Sequence, residues 1–360
     1  MTPSPILLTS PDDILGAVPY ILGFHPADSL VVIAFAGRGA RGRLRVTTRW
    51  DLPIAPGALD RLVPLFQREG VTHTILAGFG DGVLVTPAMD EVRRLLSDAG
   101  VNVIEALRAD DGRYWSYVCT RAECCPPEGR PYDPLAGEVA AQATFAGLMA
   151  LPDRESLRRS IVPVTGAARV TMREATRSVA ADVRAKIVTV AEPREAPAAF
   201  VAEGLERVRR SIDAFHRLGP LPDHEAARLG IDLSVVRVRD EAWTLMDDDT
   251  QDTHVALWGD LTRRLEAPFV PPAASLLGAA AWRRGDSALA GIAVERALAV
   301  DPSYSMANLL AQGLQQLVSP AVLRQRMPTP EELDASMGPP RMEWLHPMLE
   351  LLDDHTLRTP

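Results

Sequence analysis

Three short stretches of this chain carry residue types whose spacing suits chemistry. Cys119, Cys124 and Cys125 stand in C-x4-C-C spacing, close enough for two or three thiolates to converge at a loop end. Zinc on such a set would take a fourth ligand, and His25 and His73 are the nearest histidines in the same expected domain. The common C-x2-C chelate is absent and adjacent cysteines point in different directions, so plain thiols without a cofactor are the simpler expectation. In "GFHPADS", His25, Asp28 and Ser29 lie between an expected helix and an expected strand, where α/β domains often place functional groups. Residues this close in sequence rarely reach triad geometry. Turn chemistry accounts for them, with His25-Pro26 forcing an extended exit and Asp28 or Ser29 bonding a nearby amide.

The third stretch spells G-x-G-x-x-G from Gly37 to Gly42, directly after an apolar run at 30–35. A dinucleotide fingerprint needs a helix after the last glycine, because the helix N-terminal amides bind the pyrophosphate. Here Arg43-Leu44-Arg45-Val46 begins a strand-like alternation instead. An acidic residue about 20 positions on is also required; Asp60 stands there, but in an expected helix. The loop reads as a hairpin tip bearing Arg38, Arg41 and Arg43, a candidate anion-binding set.

The elements around these stretches alternate. A helix over 9–23 is bounded by Ser10 as N-cap, Pro11 at the first position and Gly23 at the C-terminal left-handed position, with Pro19 predicting a kink or an early end. Strands follow at 30–35 and 44–50, then a helix over 58–70 and a buried strand over 72–80. A helix is expected from the Thr86-Pro87 pair, and two strands join around Asp110-Asp111-Gly112. The proline-rich segment at 124–134 marks a domain edge, and helical periodicity dominates beyond it. The expectation is an α+β protein in two parts. A mixed α/β layered sheet domain (1–134) precedes a helical region (135–250), tetratricopeptide-like hairpins (251–325) and a C-terminal tail (326–360).

The hairpin expectation comes from residues 272–314, which resemble a tetratricopeptide repeat. Leu277-Gly278 falls on the Leu-Gly pair of the first helix, Gly285-Asp286 on the turn, and Ala290 and Ala297 on small-residue positions. Ala274, Ala281 and Val294 replace the repeat's aromatic residues. One repeat cannot bury its own face, so helices around Leu257, Trp258 and Leu261 must pack on it. A wider resemblance covers most of the chain. "PDDILGAVPYILGFHPADSLVV", "GRYWSYVC", "CCPPEG" and "VRVRDEAW" are similar to blocks of an actinobacterial family of unknown function. That resemblance implies a cytoplasmic actinobacterial protein and supplies no activity.

Composition removes several classes of function. The net charge of -9 opposes approach to phosphates, so nucleic acid is not an expected partner. Lys186 is the one lysine among 38 basic residues, and the arginine excess reads as coding bias rather than phosphate recognition. Walker A, H-E-x-x-H, zinc-deaminase and G-x-S-x-G patterns are absent. No apolar run reaches the roughly 18 residues of a membrane span, and the opening MTPSPILLTSPDD lacks the pattern of a secretory signal. Arg239-Asp240 reads as a charge pair, and Asp247-Asp248-Asp249 as a solvated loop. The expected role is a cytoplasmic protein-interaction or regulatory module. The alternative is a small-molecule enzyme or anionic-ligand sensor built on the N-terminal domain.

Overall fold

Helix α1 (Pro11–Leu22) starts where the sequence places it, because Ser10 and Asp13 close a capping box around the first turn. Pro19 sits inside it, and the helix runs on to Gly23, whose φ of 77° ends it. The computed structural model describes residues 8–37, 42–134, 137–145, 149–189, 195–325 and 327–353. The chain divides into two units, Met1–Leu157 and Arg158–Pro360.

In the first unit, β1 (Ser29–Ala36) and β2 (Arg43–Asp51) pair antiparallel, with Ala36 opposite Arg43. Helix α2 is short (Leu62–Arg68) and leads to β3 (His73–Phe79). Helix α3 (Gly82–Asp98) then crosses to β4 (Asn102–Asp110), which lies parallel to β3. Strands β5 (Arg113–Ser116) and β6 (Arg130–Pro131) complete a six-stranded mixed sheet in the order β2-β1-β3-β4-β5-β6. Only the parallel pair needs a helical crossover, since the other neighbours run antiparallel.

Both sheet faces are covered, which is why β1 reads as a continuous apolar run. On one face, Ile14, Leu15 and Val18 of α1 pack with Val31, Ile33, Ile75, Ala77, Phe79 and Leu107. On the other, α3 lies so close that a Cβ at Gly78 would clash with Val85. Helix α3 begins at Gly82, ahead of the expected Thr86 start. Asp81 supplies the cap, its carboxylate accepting the Val83 N–H at 2.7 Å. Pro87 inside the helix forfeits only the bond to the Val83 carbonyl, and water can serve that group because Val83 is 87% exposed. Two further helices, α4 (Glu138–Phe145) and α5 (Arg154–Arg159), follow the sheet.

The second unit is helix-rich: α6 (Ala167–Thr189), α7 (Ala196–Leu218), α8 (Asp223–Asp232), α9 (Val236–Thr244), α10 (Gln251–Arg264), α11 (Val270–Arg284), α12 (Ser287–Val300), α13 (Ser305–Gln315), α14 (Pro320–Gln325), α15 (Pro330–Met337) and α16 (His346–Leu352). Helices α11 and α12 form the expected hairpin. Gly285 turns the chain in the left-handed region, and the Asp286 carboxylate accepts the Leu289 N–H at 2.9 Å to cap α12. A Cβ at Gly278 would come within 3.1 Å of Val294, so the glycine sets the close approach. Leu257, Trp258 and Leu261 of α10 are fully buried, and α10 packs against α11. Arg239 reaches beyond Asp240 to the Tyr304 hydroxyl of the approach to α13. Asp247 accepts from the Asp249 and Thr250 amides, so the acidic run is an organised turn. Among the described residues no helix is long and apolar enough to cross a membrane.

His254 on α10 is fully buried, accepting the Trp258 indole N–H on Nδ1 and donating from Nε2 to the Leu245 carbonyl, both at 3.2 Å. Burial pulls its pKa from 6.5 down to about 4. In the unfolded chain it takes up a proton near pH 6.5, whereas the native chain resists to about pH 4. Stability therefore falls as pH drops through this window, by about 3 kcal/mol in all. Urea denaturation at pH 7 and pH 4.5 should show this loss for the native sequence, and His254→Gln should flatten it.

Candidate metal centre

The β4–β5 hairpin turns on Asp111 and Gly112, both left-handed with φ of 43° and 69°. Two successive positive φ values define the turn that matches strand twist. Past β5, the Ser116 hydroxyl donates to Glu105 at 2.8 Å and accepts the Cys119 N–H at 3.0 Å, fixing the start of the cysteine loop. The Cys124 and Cys125 amides then both donate to the Arg121 carbonyl, at 3.2 and 2.8 Å, closing a tight turn.

Side chains from β5 and β6 hold the rest of the loop by its carbonyls. Arg130 donates to the carbonyls of Cys124 and Glu123. Arg113 donates to Gly129 at 2.7 Å and to Glu128 at 3.2 Å. The Trp115 indole N–H donates to Pro127 at 2.9 Å. The indole ring lies against Gly129 and under the Arg108 guanidinium, which sits 3.7 Å from its centroid.

The three sulfur atoms lie within 4.8 Å of one another, and Cys119 Sγ and Cys124 Sγ are 2.9 Å apart. That pair is well beyond the ~2.05 Å of a disulfide bond, and the cysteines are free thiols. The expectation that adjacent cysteines diverge is corrected here. It holds for extended chain, but the turn at Arg121 brings Cys124 and Cys125 to the same side as Cys119. The Cys124 thiol beside it, followed by the Arg121 main chain, holds the Cys119 thiol down to about 7. Burial first, then the neighbouring thiols, pushes Cys125 up to about 12. The set suits a thiophilic metal or thiol exchange.

Neither expected fourth ligand is brought to it. Among the described residues no histidine or carboxylate joins the sulfur cluster. His73 opens β3, opposite Asn102, with its ring bonded to Thr72. His25 belongs to the turn before β1, where its N–H donates to the Leu151 carbonyl. Asp28 and Ser29 likewise do not join the thiol cluster. Ser29 pairs with Phe79 at the C-terminal end of β3, and its buried hydroxyl has no hydrogen-bond partner, so no serine–histidine relay forms. Asp28 has φ of 40° and lies against Gly80, where a Cβ would come 2.8 Å from its carboxylate. Arg38 and Arg41 lie outside the described residues; Arg43 opens β2.

Sequence reasoning missed Arg108, Arg113, Trp115 and Arg130. Their signal was the alternation of long side chains along β4 and β5, opposite a proline-rich stretch with few N–H groups. Arg108 is occupied by the Gly80 carbonyl, Asp110 and the Trp115 ring, so it acts as a strut.

One family model, described as a domain of unknown function (DUF4192), matches residues 11–321 and so includes the cysteine loop. No curated protein and no solved structure matches the chain.

A methyl group at position 129 would approach Trp115 Cε2 to 2.5 Å, at a φ of 77° that disfavours any side chain. Gly129→Ala is expected to destabilise the sheet unit by about 2 kcal/mol and to speed disulfide exchange at Cys119 and Cys124. Urea denaturation and the rate of reaction with an aromatic disulfide reagent check both effects. Unchanged values for both would mean that the ring does not hold the loop.

Proposed function

We propose that the chain, which belongs to the DUF4192 family, is a thiol-centred regulatory and protein-interaction module. The observation that carries this reading is the convergence of three sulfurs in a loop pinned by its main-chain carbonyls. Free thiols suit a reducing compartment, so the proposed location is the cytoplasm, and the arginine-for-lysine bias suits an actinobacterial source. The α11–α12 hairpin supports a partner-binding role for the helical unit. Leu309 on neighbouring α13 leaves an apolar side chain 57% exposed. The absence of a complete catalytic motif favours regulation over catalysis.

The alternative, a small-molecule enzyme or anionic-ligand sensor on the sheet unit, is supported by Ser29. Its hydroxyl is fully buried without a partner, beside the His25–Asp28 turn. Native mass spectrometry of gently purified chain tests this alternative. A bound small molecule released by Asp28→Ala would support it, and bare protein would remove it.

The thiol reading predicts that in-cell cross-linking and affinity capture of the full chain yields partners whose amounts change between reducing and oxidising conditions. Cys119→Ser should abolish that dependence. Equal capture of the same partners by both chains under both conditions would overturn the reading.

A further inference from the structure

A zinc ion bound by thiolates keeps Zn–S near ~2.3 Å, which sets neighbouring sulfurs about 3.8 Å apart in a tetrahedron. The three sulfurs here already lie within 4.8 Å of one another. Cys119 and Cys124, 2.9 Å apart, have only to part by about 1 Å, within the reach of side-chain rotation. The loop main chain needs no rearrangement, because Ser116, Arg113, Trp115 and Arg130 already hold it.

Charge and ligand type agree with this geometry. Thiolates select soft or borderline cations, zinc among them. Three thiolates around a divalent ion leave one negative charge. The Arg130 guanidinium, held against the Glu123 and Cys124 carbonyls, places a positive charge beside the loop. Each thiol that enters as a thiolate releases one proton to solvent, so affinity rises with pH.

We infer that Cys119, Cys124 and Cys125 bind one zinc ion through three thiolates, leaving its fourth position open to a donor from outside the loop. This rests on the thiol-centred regulatory reading and names its ligand. Zinc sites closed by the protein use four ligands, whereas three protein ligands leave an exchangeable position. All three cysteines are partly exposed, and among the described residues no histidine or carboxylate joins them. Water fills the fourth position in the isolated chain. An imidazole or thiolate from a partner protein can displace it.

The test uses the full chain, reduced and stripped with a chelator, then titrated with zinc sulfate against a chromophoric chelator and weighed by native mass spectrometry. One zinc per chain is expected. Serine at any one of the three positions should cost at least ~100-fold in affinity, and Arg130→Gln, a positioning change, about tenfold. Circular dichroism shows whether each variant is folded, and cobalt(II) on the unaltered chain gives a readout that needs no variant. Cobalt should show thiolate charge-transfer absorption and strong tetrahedral visible bands, and those bands should shift when imidazole is added. The inference is overturned if the reduced chain retains no zinc, if the triple serine chain retains it, or if the cobalt bands ignore imidazole. Thiol-dependent partner capture without zinc would sink this inference alone. Zinc binding with thiol-independent capture would sink the regulatory reading alone.

Discussion

The indole of Trp115 is the contact on which the far edge of the sheet depends. The ring lies against Gly129, where no Cβ fits, and carries the Arg108 guanidinium 3.7 Å from its centroid. The reason for such an anchor lies in the segment it holds. Pro126, Pro127 and Pro131 remove three N–H groups from a stretch that must nevertheless dock on β5. Strand pairing cannot supply enough bonds, so side-chain donors take the carbonyls instead. Trp115, Arg113 and Arg130 each donate to that segment or to the cysteine turn before it. The cysteines inherit their positions from this arrangement.

Much of the sheet unit was legible in sequence because its signals are local. Ser10 and Gly23 bound α1, and Asp111-Gly112 turns β4 into β5. The G-x-G-x-x-G string was rejected on the residue after its last glycine, and Arg43 does begin a strand. The thiol cluster was legible as spacing but not as geometry. Whether Cys124 and Cys125 converge depends on the Arg121 turn, and that turn is held by Arg130 from another strand. The start of α3 was misplaced for a related reason: an Asp cap before a glycine is a weaker pattern than Thr-Pro, yet its carboxylate reaches the amide. Non-local donors leave no periodicity to read.

In the helical unit, the arginine bias has a structural use whatever its origin. Asp232 is fully buried and is held by Arg207 at 2.5 Å and Arg228 at 2.9 Å. Glu241, equally buried, is held by Arg209 and Arg237, and Arg237 continues to Asp334 on α15. A guanidinium keeps its charge when desolvated and offers several donors in a plane, so one arginine can bond carboxylates on two helices, as Arg237 does with Glu241 and Asp334. Lys186, by contrast, meets Glu203 where both are exposed. Arg207, Arg209, Arg228 and Arg237 are thus engaged by the two buried carboxylates of this unit.

The short last strand bears on how the sheet meets other chains. An open sheet invites a neighbour's strand wherever its edge still shows a row of amides and carbonyls. Strand β6 is two residues long, and one of them, Pro131, has no amide to offer. The opposite edge is β2, nine residues long, with Arg45 exposed along it. One side is thus closed by geometry and the other guarded by charge, which disfavours edge-to-edge aggregation of a sheet whose interior is almost wholly apolar.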